Sequence, residues 1–201
     1  MAQETQKTPE NAYENPAFVL ETSKLGIWTF LATEVLLFGA LFTAYTVFRI
    51  KYPELFYQEH LRLNRIMGFT NTIVLICSSL SVAIGIAAIR RGNQAVLKRC
   101  LIITLVLGAA FLVVKFFEYK EHIGRGELPG TNIFFSLYYT MTGLHALHVI
   151  AGMSALAFSL VLTAKGRFSA DYAIPVEITG IYWHFVDLVW IYLFPMLYLM
   201  G

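Results

Sequence analysis

Hydrophobic residues in this chain run in long blocks, without the short alternation of a half-buried strand. Residues 25–48, 69–89, about 96–119, 133–163 and 178–200 carry almost no charge, and short polar stretches separate them. A helix rises about 1.5 Å per residue, so about 20 apolar residues cross the roughly 30 Å hydrocarbon core of a bilayer. Each block meets that length. Backbone N–H and C=O groups find no water in that core, so the segments that cross must satisfy them internally. The pattern therefore predicts an all-α protein, a polytopic bundle of five transmembrane helices. Arg49, Lys51 and Pro53 close the first block, and Arg90, Arg91 and Gly92 close the second. The fourth is long enough to require tilt or overhang. Pro175 precedes the fifth, and Pro195 interrupts it late.

Composition agrees. The chain has 201 residues, 57% of them hydrophobic and 14% charged, against about 25% charged in soluble domains. Mean hydropathy is +0.62. The net charge of +2 comes without a basic stripe, which argues against nucleic acid as a partner. Cys77 and Cys100 lack metal-type spacing and read as small apolar residues. Residues 1–23 are polar, without the basic and apolar regions of a signal peptide. They read as a tail on the membrane surface or a partner, ahead of a bundle over 24–201. The loop "RRGNQAVLKR" holds Arg90, Arg91, Lys98 and Arg99 with no acid, which places it in the cytoplasm by the positive-inside rule. The N-terminus is then inside and the C-terminus outside.

Ionisable residues inside the blocks are the candidate chemistry. Glu34 and Asp187 each lie roughly 14 Å along their helices. His145, His148 and His184 fall near the same level, which suggests an internal polar layer. A charged acid costs about 2.5–3.5 kcal/mol at a helix centre, so such residues face protein and find partners. His145 and His148 have i, i+3 spacing, which predicts one shared face and could serve a metal, but no further ligand motif accompanies them. In "WHFVDLVW" His184 and Asp187 are one turn apart, so the carboxylate can orient the imidazole; polar contact between helices is the plainer role. In "KFFEYKEH" the residues Lys115, Glu118, Glu121 and His122 sit at a membrane boundary, where charges snorkel and pair. Small residues over Ser78 to Ala88 permit close helix contact.

Five stretches together resemble one family. "TEVLLFGALFTAY", "NTIVLICSS", "FEYKEH", "GLHALHVIAG" and "YWHFVDLVWIYLFPMLY" occur in the order seen in subunit III of heme-copper (cytochrome c type) oxidases. The likeness runs from about residue 24 to 200 and is to the five-helix bacterial form. It implies a multi-pass subunit of the bacterial cytoplasmic membrane, active in aerobic respiration, with no heme or copper of its own. Heme and copper belong to catalytic subunit I and to subunit II, its expected partners. It implies bound phospholipid in a V-shaped cleft, and support of sustained turnover, proton uptake and oxygen delivery. Glu34 matches the family's carbodiimide-reactive glutamate, with "TEV" where the family has "SEV". His148 and His184 match its two motif histidines. The residues agree on one point: five histidines, with His60 and His122 at loops or boundaries, cannot ligate two hemes and copper.

Other readings stay open at this stage. A similar subunit accompanies nitric oxide reductases and alternative complex III. From a different class, the chain could be an autonomous proton-coupled transporter with Glu34 and Asp187 as a relay, although no internal repeat supports it. A small heme protein using His145 or His148 with His184 is the fourth.

Overall fold

The computed structural model describes residues 16–169 and 172–200, with side chains from residue 21. Helix α1 (Pro16–Lys51) leads through the short α2 (Pro53–His60) to α3 (Arg65–Ile89). Then come α4 (Gln94–Gly124), α5 (Ile133–Ala164) and α6 (Ile174–Phe194). All but α2 are long and apolar enough to cross a membrane, which makes five spans, as the apolar blocks predict. No strand occurs among the described residues.

The helices overrun the apolar blocks. α1 starts at Pro16, so residues 16–23 of the expected tail are helical, and residues 1–15 lie outside the described residues. Three starts are set by asparagine caps. The Asn64 side chain accepts from the Ile66 and Met67 N–H groups, Asn93 from Val96, and Asn132 from Phe135. Each cap satisfies amide donors that the first turn leaves unbonded. α2 has no apolar block because it is short and carries four polar residues among its eight; Phe56, Glu59 and His60 are its buried residues. Pro195 does not break the last helix. It lacks an N–H, and the chain widens there into one π-helical turn, Pro195–Leu199. The Tyr45 hydroxyl donates to the Met196 carbonyl at 2.8 Å in that turn.

Lipid tails are as apolar as leucine, so close packing and polar contacts must hold these helices together. α3 and α4 form an antiparallel hairpin, turned at Gly92 with φ +78°. Ser81 donates to the Cys100 carbonyl at 3.0 Å across it. α6 packs centrally, against α3 and α5. Its Trp183 and Trp190 are buried, and their indole N–H groups reach Ser78 Oγ and Thr72 Oγ1 on α3, both at 3.0 Å. α1 is peripheral. Only 11% of its most apolar window is buried, against 50% for the last span, and its main contacts are with α5 and α6.

Gly152 marks the tightest approach of α5 to α6: a Cβ there would lie 2.8 Å from the Trp183 ring. Gly152→Ala is expected to lower stability by about 1–3 kcal/mol through overpacking. Gly39→Ala, where nothing lies within 4 Å, is expected to be neutral or to gain up to about 1 kcal/mol from helix propensity. Thermal unfolding of the two variants in detergent checks the contrast.

Candidate functional site

Glu34 projects from α1 toward α5, and its Oε2 lies 2.9 Å from His148 Nε2. On the other side of the ring, His148 Nδ1 is 2.8 Å from the Leu144 carbonyl. A carbonyl only accepts, so Nδ1 carries hydrogen. In a neutral imidazole Nε2 is then an acceptor, and the proton in the contact comes from the Glu34 carboxyl. With the proton moved across, an imidazolium donates to a carboxylate. Both forms hold the same protons and the same net charge, zero. Phe38 packs edge-on to the imidazole at 5.2 Å. The arrangement can hold one proton between two groups at the rim of the bundle, and both side chains keep 14% exposure there.

The remaining members of the expected polar layer lie elsewhere. His184 Nδ1 is 2.5 Å from Ser79 Oγ on α3. Asp187, one turn on, is 3% exposed, and neither of its carboxyl oxygens has a hydrogen-bond partner among the described residues. It therefore does not orient His184, as the one-turn spacing suggests; Ser79 does. His145 is fully buried, packed on Phe111 and Trp190 with ring centroids at 5.5 and 5.3 Å, and neither ring nitrogen is bonded. Residues three apart on a helix are turned by about 300°, which is about 60° short of a full circle. That offset sends His148 to α1 and His145 into the core. Of the layer, only Glu34 and His148 touch, and no common polar layer forms.

The residues expected to form a boundary cluster divide as well. Lys115 and Glu118 do not snorkel: they are 4% and 0% exposed. The Lys115 ammonium donates to Glu118 Oε2 at 2.9 Å, Tyr138 OH at 3.1 Å and Tyr198 OH at 3.0 Å. Tyr198 in turn donates to Glu118 Oε1 at 2.5 Å. All three ammonium donors are used, and the rings of Tyr119, Tyr138, Trp190 and Tyr198 lie 5.0–5.7 Å from Nζ. His122 instead pairs with Glu127 at 2.5 Å, and Glu121 pairs with Arg125 on the surface. From Glu127 the contacts run on to Arg62 at 3.5 Å and from Arg62 to Glu59 at 3.2 Å, where Asn132 donates at 3.1 Å. Sequence reasoning misses Tyr138, Tyr198, Glu127 and Glu59. The tyrosines look like interface aromatics, and the acids sit in polar segments where charge is ordinary. The odd placement of a lysine inside an apolar block is the one sign of the cage.

Among the described residues no group of three or more His, Cys, Asp or Glu side chains is placed to hold a metal ion.

A profile of the family described as Cytochrome c oxidase subunit III matches residues 9–201. "Cytochrome c oxidase subunit 3" of Thermostichus vulcanus is 34% identical over 193 residues, covering 95% of this chain and 92% of that one. "Probable cytochrome c oxidase subunit 3" of Nocardia farcinica is 35% identical over 172 residues, 86% of this chain and 84% of that one. "Heme-copper oxidase subunit I+III" of Aeropyrum pernix is 33% identical over 192 residues, 92% of this chain and 24% of that longer one.

The cage makes a stability prediction. Lys115→Met strands the Glu118 charge and is expected to cost about 3–5 kcal/mol, whereas Lys115→Met combined with Glu118→Leu recovers much of the loss. A double-mutant cycle by thermal unfolding in detergent measures both.

Proposed function

Because the chain belongs to the cytochrome c oxidase subunit III family, we propose that it is the non-redox accessory subunit of a proton-pumping heme-copper oxidase of a bacterial cytoplasmic membrane. In this reading it sits beside subunits I and II, which carry the heme and copper. It stabilises the working complex, holds phospholipid, and keeps an exchangeable proton near the catalytic partner. The observation that carries the reading is the 2.9 Å contact of Glu34 with His148. It ties the loosely packed α1 to α5 and stores one proton where both groups remain partly accessible. An apolar groove of about 170 Å³ between α1 and α6, lined by residues such as Val35, Phe42, Phe185 and Tyr192, has the chemistry to take an acyl chain. The Aeropyrum pernix relative is named as subunits I and III in one chain, which supports a lasting side-by-side placement here. The names of the relatives favour an oxygen reductase over the nitric oxide reductase and alternative complex III readings. A relay from Glu34 to Asp187 within this chain alone has no support, since the two acids face different neighbours.

Gentle purification is expected to bring down heme-bearing subunits with this chain, and the separated chain is expected to show no Soret band. In the complex, Glu34→Gln keeps the contact, because an amide N–H can donate to His148 Nε2, but holds no exchangeable proton. It is expected to stay assembled and to inactivate sooner during turnover than the wild type. Glu34→Ala also loses the contact, about 1–3 kcal/mol, and is expected to shed the subunit more readily. Oxygen-consumption traces followed to inactivation, with subunit content measured before and after, test this. Unchanged lifetime and attachment in Glu34→Ala would falsify the proposal.

A further inference from the structure

Asp187 lies roughly 20 Å along the span Ile174–Leu199, near the middle of the membrane. It borders a groove of about 380 Å³ between α3 and α6. Ile76, Leu80 and Ala83 of α3 and Leu188 and Ile191 of α6 form its apolar walls, with Ser79 and His184 beside the acid. Leu80, Leu188 and Ile191 are exposed along its rim. Ser79 stands beside the acid, with its Oγ 2.5 Å from His184 Nδ1. Four other acids in the spans have partners: Glu34 has His148, Glu118 has Lys115 and Tyr198, Glu121 has Arg125, and Glu177 has Arg90. Asp187 therefore stands out among the described residues as a buried acid with both oxygens unbonded. In hydrocarbon such a group is costly, and a donor from outside the chain removes the cost.

We infer that the α3–α6 groove is the surface on which a transmembrane helix of the catalytic subunit seats, donating a hydrogen bond to Asp187 from a side chain at mid-membrane depth. The inference rests on the accessory-subunit reading and adds the face, the depth and the chemistry of the contact. Ser79 and Ala83 are one turn apart on α3 and small, which lowers that wall and lets a helix backbone come close. An acyl chain has no donor, and lipid headgroups lie about 15 Å away at the edge of the hydrocarbon. A second copy of this chain brings another Asp187, which can donate only when protonated, with its Ser79 and His184 already in contact with each other. A partner helix carrying Arg, Lys, Trp, Asn, Ser or Thr at this level supplies what is missing.

The test uses the whole oxidase in its native membrane, with a photoreactive residue placed at Leu80 or Leu188 in the groove, and at Val106 of α4 or Leu147 of α5 on other faces. All four positions are exposed in the isolated chain. The groove positions are expected to give adducts with the catalytic subunit, on a helix bearing a donor at the matching depth, and the other two to give lipid adducts. Catalytic-subunit adducts from α4 or α5, with only lipid or a second copy of this chain captured at Leu80 and Leu188, overturn the groove assignment and leave the accessory reading standing. Failure of any heme-bearing subunit to copurify overturns the accessory reading and the groove with it. Independently, Asp187→Leu is expected to accumulate normally in the membrane yet to be retained on the purified complex roughly tenfold less, while Asp187→Asn, which still accepts, is retained more nearly like the wild type. Retention of Asp187→Leu equal to the wild type counts against the hydrogen bond.

Discussion

Lys115 puts three N–H donors inside a helix bundle, and Glu118, Tyr138 and Tyr198 accept all of them. Those partners come from α4 itself, from α5 and from the π turn after α6. The ammonium thus joins three parts of the chain at one end of the bundle, where apolar packing alone discriminates poorly between arrangements. Tyr198 reaches it from within the π turn that starts at Pro195. The same region is held from α1 by the bond from Tyr45 to the Met196 carbonyl. With that end anchored, α6 presents Trp183 and Trp190 to α3 and turns Asp187 toward the groove beside them.

α1 follows a different rule. It is mostly exposed, and at mid-membrane its polar tie to the bundle is the Glu34–His148 pair. A pair that can pass a proton internally without changing its net charge is compatible with hydrocarbon in both forms. A lone carboxylate is not. The exposed apolar faces of α1, α3 and α6 are the surfaces to which our proposals assign other molecules: acyl chains beside α1, and a helix of the partner between α3 and α6.

Several features are legible in the amino-acid sequence. Hydropathy marks all five spans, because hydrocarbon thickness sets a minimum length that any crossing helix must meet. The apolar blocks do not mark the helix starts, three of which Asn64, Asn93 and Asn132 set by bonding first-turn amides. The depths of Glu34, His148 and Asp187 follow from the rise per residue. The cage around Lys115 is the main feature that a linear reading misplaces, because a charge near a helix end looks the same whether it snorkels to water or is enclosed by neighbours.

The sequence by itself determined that this is a five-span membrane helix bundle with acids and imidazoles near mid-depth, because length, hydropathy and family motifs are properties of position along one chain. Only the tertiary structure decided which of those groups meet. It paired Glu34 with His148, enclosed Lys115, buried His145 among aromatic rings and left Asp187 facing a groove. The physical reason is rotation: each residue turns the helix by about 100°, so the facing partner depends on how whole helices are turned against one another, which no spacing within a single helix specifies.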